Sequence, residues 1–132
     1  YVVIFDLATD VFYDTVGFGE EYKKVKNHSW FTAESHVCYV SEVFGNTEVY
    51  CTTQLIGFDQ KRMHYFHRMY LVKEKILVAT NELLALHVSL NERKVVETTA
   101  VALDPLERIL TRHRTLPKPK QLGSQISLSS KS

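Results

Sequence analysis

The first apolar pattern in the chain repeats about every 3.6 residues and predicts a helix over residues 2–16. Its apolar face, with Ala8 and Val11 beside it, consists of Val2, Phe5, Phe12 and Thr15. Three aspartates recur every four residues on another side, and we interpret them as a solvated face rather than a site: Asp6, Asp10 and Asp14. Gly17-Phe18-Gly19 supplies residues that commonly end a helix. The polar residues 20–29 are expected to form a loop.

Alternating apolar and polar positions then predict four strands, over residues 30–44, 48–57, 61–72 and 76–90. The connections between them are short and rich in Gly, Asn, Asp or charged residues. Such connections join antiparallel neighbours. The first strand is partly apolar on both faces, which suits a sheet with a helix on one face and a subunit contact on the other. The fold class expected is therefore α+β, one long helix on an antiparallel sheet.

Near the end of the chain, Asp104 and Pro105 form a typical N-cap and N1 pair. Apolar residues follow them with helical spacing, so a short amphipathic helix is predicted over residues 105–113. Pro, Lys, Ser and Gly dominate the rest of the chain, a composition typical of disorder. The predicted organisation is one folded domain over 1–100, the C-terminal helix within 101–114 and a disordered basic tail over 115–132.

Charge and composition narrow the class of protein. The 132 residues carry a formal net charge of +1, but five basic residues and no acidic residue follow Leu110, so the body of the chain is mildly acidic. An acidic body argues against a nucleic-acid surface. No apolar run is long enough for a membrane span, and no signal peptide is evident, so a cytoplasmic protein is expected. Cys38 and Cys51 are expected to be free thiols, and no metal site or cofactor is predicted.

Two pairs of residues in the strands could carry chemistry. Glu34 and His36 are two positions apart, so both side chains point to one face and could orient a water molecule. The alternative is a charge pair at the rim of the sheet. His64 and His67 point to opposite faces, so they cannot bind one metal together, and one of them is expected to pack inside with a hydrogen bond.

Two further pairs interrupt the apolar pattern or lie beside a turn. Asn81 and Glu82 interrupt the longest strand, and a buried glutamate must be paired or functional. The alternative is that Glu82 faces solvent. Lys61 and Arg62 could meet the phosphates of coenzyme A, or could be an ordinary charged turn.

Three stretches resemble the hot-dog-fold acyl-CoA thioesterases that are similar to 4-hydroxybenzoyl-CoA thioesterase. They are residues 3–12 (VIFDLATDVF), residues 31–36 (FTAESH), and residues 54–67 (QLIGFDQKRMHYFH) with the later 79–82 (ATNE). The subgroup that is most similar is the betainyl-CoA thioesterase type linked to carnitine breakdown. The resemblance implies hydrolysis of an acyl-CoA, with coenzyme A present only as part of the substrate, in a homodimer or tetramer.

The resemblance also implies a first strand that this sequence lacks. In relatives that strand carries an aspartate, the usual catalytic carboxylate, shortly before the tyrosine that resembles Tyr1. The sequence is therefore expected to be a fragment or a truncated relative with low activity, and the predicted catalytic residues are Glu34, His36, Asn81 and Glu82. A non-catalytic hot-dog domain that dimerises or binds a ligand is the alternative function. Hot-dog dehydratases, which also act on acyl thioesters, typically carry a catalytic histidine near the long helix. No histidine lies within residues 1–27, so the resemblance disfavours a dehydratase.

Overall fold

The computed structural model describes residues 2–41, 47–120 and 122–123 of the chain. The helices are α1 (Val2–Thr15), α2 (Glu20–Lys26) and α3 (Asp104–His113), and the strands are β1 (His28–Tyr39), β2 (Val49–Phe58), β3 (Arg62–Leu71), β4 (Leu77–Ser89) and β5 (Lys94–Val95). The long helix, the four long strands and the C-terminal helix are therefore confirmed. β1 begins two residues earlier than predicted, and the end of the strand predicted over 30–44 lies outside the described residues.

The sheet is antiparallel, with the strand order β1-β4-β3-β2. The two-residue strand β5, which was not predicted, pairs with Val88 and Ser89 of β4. It lies beyond the end of β3, whose pairing with β4 begins at Leu86. β1 and β2 are thus the two outer strands among the described residues, and each has one edge that no neighbouring strand covers.

α1 packs on one face of this sheet through its aromatic residues. Phe5 and Phe12 are buried against residues of β2, β3 and β4. Thr15, which was assigned to the same face, is exposed, and its hydroxyl donates to the Val11 carbonyl. The helix ends where predicted: Gly17 has a φ of 85°, and the N–H of Phe18 donates to the Tyr13 carbonyl at 2.8 Å. A positive φ of this kind is the usual C-terminal stop of a helix.

The prediction of a loop over residues 20–29 is wrong, because residues 20–26 form α2. Two acidic residues occupy the first turn of α2 and three lysines the last, which favours a helix through its dipole. The Tyr22 ring packs edge-on against Phe18 at 4.7 Å, and its hydroxyl lies 2.8 Å from His87 Nε2. Tyr22 therefore anchors a helix whose own sequence carries little apolar pattern.

α3 packs into the same core as α1 through Leu106 and Leu110, both buried. The N-cap assignment for Asp104 is wrong: Asp104 is the first residue of the helix, and Leu103 precedes it without a side-chain cap. At the other end, the N–H of Leu55 in β2 donates to His113 Nδ1 at 2.8 Å. α3 is therefore fastened to the outer edge of β2.

The first part of the predicted tail follows α3 onto the sheet. Pro119 is buried, and the N–H of Gly123 donates to Glu82. Residues 121 and 124–132 lie outside the described residues, so the prediction of disorder there stays a prediction. The division into residues 1–100, 101–114 and 115–132 likewise stays a prediction. The described residues contain no helix that could span a membrane.

Candidate active site

Three of the predicted catalytic residues lie around one cleft on the sheet face opposite α1. Glu34 and His36 of β1 and Glu82 of β4 line this cleft, whose volume is about 760 Å³. His64 of β3 lines it as well. Two carboxylates and two imidazoles from three adjacent strands therefore meet at one opening, which we call the outer cleft.

His64 and Glu82 form a hydrogen-bonded pair in the outer cleft. Glu82 Oε2 lies 2.6 Å from His64 Nε2, and the side chains of His64 and Glu82 are 33% and 18% exposed. An ionised carboxylate can only accept, so Nε2 of the neutral ring carries the proton and Nδ1 keeps its lone pair. A histidine held in one tautomer by a carboxylate, with its other nitrogen basic, is able to act as a general base.

A β-bulge determines which way Glu34 and His36 point. Thr32 pairs with Ala85 and Glu34 pairs with Leu84, so Ala33 is an extra residue in β1. An extra residue of this kind reverses the faces of all residues after it. Trp30 before the bulge is buried in the core beneath α1, whereas Glu34 and His36 after it face the outer cleft. The prediction that Glu34 and His36 share a face is confirmed, and His36 lies directly opposite Glu82.

The structure does not bring Asn81 to this cleft. Asn81 and Glu82 are consecutive residues of a regular strand, so they point to opposite faces of the sheet. Asn81 is 5% exposed and its Oδ1 accepts a hydrogen bond of 2.8 Å from the Ser35 hydroxyl. A direct role beside Glu82 on the same bound molecule is therefore excluded by geometry.

Lys61 and Arg62, the predicted binding residues for coenzyme A, lie at one end of a groove that continues from the outer cleft. Leu84 and His64 line both the outer cleft and a hollow that reaches Arg62, and Arg62 also lines the next hollow beside Lys61. Arg62 is four residues from Phe66, the partner of Glu82 in β3, which corresponds to roughly 13 Å along the strand. The groove thus leads from an acid–base pair to a basic end.

Asp59 shapes that basic end. Its Oδ1 accepts from the N–H groups of Lys61 and Arg62 at 2.9 and 2.7 Å, and its Oδ2 lies 2.7 Å from the Arg62 guanidinium. Burial alone would raise the pKa of Asp59, but the hydrogen bonds and charge of Arg62, together with the N–H of Lys61, lower it. Arg62 is therefore partly neutralised, whereas the Lys61 side chain is exposed.

His64 is the site residue that sequence reasoning did not select. Strand alternation separates its face from that of His67, and His67 is the histidine that packs inside, as predicted for one of the two. Selecting His64 requires the register of β3 on β4, because Glu82 reaches it diagonally across the pair formed by His64 and Leu84. No pattern within either strand contains that information.

A second hollow lies on the other side of the sheet, between α1 and the outer edge of β2. Its volume is about 400 Å³, and its walls are mostly apolar, including Leu7, Val11 and Cys51. Both Leu7 and Val11 are more than half exposed. The catalytic residues predicted from sequence do not line this hollow, so it is an apolar surface rather than an acid–base site.

A long α-helix packed against an antiparallel sheet is the architecture of the hot-dog proteins. The chain belongs to the thioesterase-like superfamily, whose profile matches residues 1–106. The betainyl-CoA thioesterase of Pseudomonas aeruginosa is 34% identical over 97% of this chain and 80% of its own length. The L-carnitine dehydrogenase/betainyl-CoA thioesterase of Ruegeria pomeroyi is 32% identical over 96% of this chain, which corresponds to 25% of that longer protein.

Solved structures confirm the fold. A Staphylococcus aureus protein in complex with CoA superimposes with a TM-score of 0.90 at 22% identity, over 98% of this chain and 81% of that one. A protein of Pseudomonas putida described as a thioesterase superimposes with a TM-score of 0.81 at 28% identity, over 98% of this chain and 82% of that one. The hot-dog α+β fold expected from the sequence is therefore shown.

Proposed function

We propose that the protein hydrolyses an acyl-CoA thioester to the free acid and coenzyme A, and that it does so in the cytoplasm. Membership of the thioesterase-like superfamily supports the reaction class. The His64–Glu82 pair in the outer cleft is the observation that carries the chemistry. The relatives named as betainyl-CoA thioesterases support betainyl-CoA as the substrate.

In the proposed reaction His64 is the general base. Its Nδ1 takes a proton from water while the water oxygen bonds to the thioester carbonyl carbon. The tetrahedral intermediate then breaks its C–S bond, and the imidazolium returns the proton to the departing sulfur. Glu82 stabilises the imidazolium through Nε2–H, and Glu34 and His36 on the neighbouring strand orient the attacking water.

The groove along β3 would hold the rest of coenzyme A. The thioester lies at the outer cleft, the pantetheine arm follows the groove past His64, and the phosphates reach Lys61 and Arg62. Because Asp59 already binds Arg62, Lys61 is the more available cation. Lys61→Ala should therefore raise KM for the acyl-CoA without lowering kcat.

The catalytic assignment is tested by three substitutions that each replace a titratable side chain by a neutral amide: Glu82→Gln, His64→Gln and Glu34→Gln. Thiol release is followed with betainyl-CoA and a panel of other acyl-CoA substrates. We expect Glu82→Gln and His64→Gln to lower kcat by roughly 10²- to 10⁴-fold. Glu107→Gln, an exposed glutamate on α3, is the matched control. Parental rates in both Glu82→Gln and His64→Gln would refute the assignment, and no hydrolysis by the parent would favour the non-catalytic alternative.

The preference for betainyl-CoA has its own test. The trimethylammonium group is a cation, and the carboxylates of Glu34 and Glu82 line the outer cleft. The neutral isostere 3,3-dimethylbutyryl-CoA has the same shape without the charge. We expect kcat/KM to favour betainyl-CoA in the parent and the ratio to shrink in Glu34→Gln. Equal rates for the two substrates in the parent would remove the argument from charge.

We also propose that two copies of the chain pair through the outer edge of β2. The Leu55 N–H points away from β3, since it binds His113, and strand alternation then aims the N–H groups of Val49, Cys51 and Thr53 the same way. The exposed apolar residues of α1 lie beside this edge. An antiparallel second copy of β2 would satisfy the edge that the described residues leave open, and would cover the apolar hollow.

His113 limits the register of this dimer. Because His113 occupies the N–H of Leu55, the free part of the edge ends at Thr53. The free part of the edge runs from Val49 to Thr53, and Cys51 is its middle residue. A twofold antiparallel pairing over this whole part places Cys51 opposite Cys51 of the second copy. Facing Cα atoms would then be about 5.5 Å apart, within the range for a disulfide.

This register can be tested by oxidation of a Cys38→Ser variant, in which Cys51 is the remaining cysteine. Burial raises the pKa of the Cys51 thiol, so the oxidation is run at mildly alkaline pH. We expect a disulfide-linked dimer, and none from the matched Cys51→Ser variant. A monomer by light scattering at micromolar concentration would contradict the pairing. A dimer that never forms the Cys51 disulfide would contradict the register.

A further inference from the structure

The sheet face opposite α1 carries a buried row that the proposed reaction does not explain. Gln54, Phe66 and Glu82 are register partners on β2, β3 and β4. Gln54 is 4% exposed and Phe66 is fully buried, although both point away from α1. The Arg68 guanidinium covers part of this row, because it lies 5.2 Å from the centre of the Phe66 ring and donates to Gln54 Oε1 at 3.0 Å, and the rest of the row needs another cover.

The segment after α3 supplies that cover. Gln54 Nε2 donates to the Pro117 carbonyl at 3.4 Å, and the Gly123 N–H donates to Glu82 Oε1 at 2.8 Å. These two anchors lie two strands apart, roughly 10 Å across the sheet. Pro119, between them in sequence, is buried. The described residues of 117–123 thus pass from Gln54 on β2 to Glu82 on β4.

Gly123 acts on the carboxylate that holds His64. The two oxygens of Glu82 have separate partners: Oε1 accepts from the Gly123 N–H and Oε2 accepts from His64. Gly123 also lines the outer cleft. A carboxylate held by two donors of this kind is fixed in orientation, and hydrogen bonds to ionised acceptors are the stronger ones.

We propose that residues 117–120 and 122–123 form a strap across the sheet and that the Gly123 N–H is a positioning group for Glu82. The docking of the strap on the sheet is inferred from its contacts with Gln54 and Glu82. Its effect on catalysis rests on the function proposed above. When the strap is docked, Glu82 is aligned on His64; when it is released, the cleft loses one wall and the carboxylate loses one of its two donors.

The backbone of Gly123 offers a sharp test. Its φ is 72°, in the left-handed region, and a Cβ added there would meet no atom within 4 Å. Gly123→Ala therefore strains the docked strap through its backbone alone. Gly123→Asn adds a larger side chain but tolerates the same φ, so it is the rescue variant. Gly123→Pro removes the N–H and forbids a positive φ, so it should release the strap fully.

The first readout is amide exchange at residue 123, measured by NMR on the full chain, which does not depend on activity. We expect Gly123→Ala to exchange roughly 5- to 30-fold faster than the parent, and Gly123→Asn to exchange at nearly the parent rate. Glu82→Ala should also accelerate exchange at Gly123. Unchanged exchange in both Gly123→Ala and Glu82→Ala would overturn the strap.

The second readout is steady-state kinetics. We expect Gly123→Pro to lower kcat roughly 10- to 100-fold with little change in KM, and Gly123→Asn to retain the parent kcat. If Glu82→Gln abolishes hydrolysis while Gly123→Pro does not alter kcat, the positioning role is wrong and the proposed function stands. If Glu82→Gln leaves hydrolysis intact, the proposed function is wrong, and the exchange experiment still decides whether the strap docks.

Discussion

His67 should make the stability of the protein depend on pH in a way that can be calculated from its surroundings. The ring is fully buried beneath α1 and stacks on Phe5. Thr9 donates its proton to the Phe5 carbonyl, so its oxygen accepts from His67 Nε2 at 2.9 Å. The Thr53 hydroxyl donates to Nδ1 at 2.8 Å. Both nitrogens of the neutral ring are satisfied, and a proton added to Nδ1 would displace the hydrogen bond that Thr53 donates.

Burial lowers the pKa of His67 from 6.5 to about 4. In the unfolded chain the ring takes up a proton near its ordinary pKa, whereas in the folded protein it stays neutral. The unfolded state therefore gains protons first as pH falls, and stability is lost progressively between about pH 6.5 and 4. The full loss is about 3 kcal/mol, of which about 2 kcal/mol should be gone at pH 5.

The assay compares urea denaturation of the parent and of His67→Gln at pH 7 and pH 5. Glutamine can donate to Thr9 and accept from Thr53, but it does not titrate in this range. Burial also lowers the pKa of His87 and His113, and both residues are present in each protein, so their contributions cancel in the comparison.

We expect the parent to lose about 2 kcal/mol more than His67→Gln between pH 7 and pH 5. The result that would refute the reasoning is an equal loss in the two proteins. In that case His67 would be protonated inside the folded protein, and its contacts with the two threonines would have to differ from those described.

Substitutions at three other positions test the packing. Leu106→Ala should lower the free energy of unfolding by about 2–5 kcal/mol, measured by denaturation, because the side chain is fully buried between α3 and the sheet. Tyr22→Phe should lower it by about 1–3 kcal/mol, since it removes the hydroxyl that joins His87 to Thr98, and an unchanged melting temperature would contradict that role. Gly17→Ala should lower it by about 1–2 kcal/mol while Gly17→Asn lowers it less, because φ at Gly17 is 85°.

Periodicity along the chain was sufficient for the main elements. The apolar positions of α1 and of the four long strands repeat largely with the period of the backbone, and this repeat reveals the type and extent of each element. Phe5 and Phe12 were assigned to the buried face of α1 and lie there. The register between two strands cannot be read from the pattern of either strand alone, because it depends on how the whole strands align.

The errors have physical causes in particular residues. α2 was missed because its charges and single tyrosine carry no apolar period, and Tyr22 is held by residues far away in sequence, including His87. The extra residue Ala33 in β1 could not be foreseen, because a bulge reverses the faces of the later residues without changing the sequence pattern. His64 was not selected because its partner, Glu82, lies on another strand.

Asn81 and Glu82 show how adjacent residues of one strand can serve different ends, and this separation is testable. Asn81 faces α1 and binds Ser35 across β1, whereas Glu82 faces the outer cleft and binds His64. Asn81→Ala should lower the free energy of unfolding by about 0.5–1.5 kcal/mol, since it removes the hydrogen bond with the Ser35 hydroxyl, while kcat changes little. Glu82→Gln should do the reverse, because it keeps the shape but removes the charge that stabilises the imidazolium. Denaturation and thiol release are measured on both variants. We expect Asn81→Ala to be less stable with nearly the parent kcat, and Glu82→Gln to have nearly the parent stability with a lower kcat. Loss of activity in Asn81→Ala without loss of stability would mean that the chemistry lies on the α1 side of the sheet, and the outer cleft would then have to be abandoned as the active site.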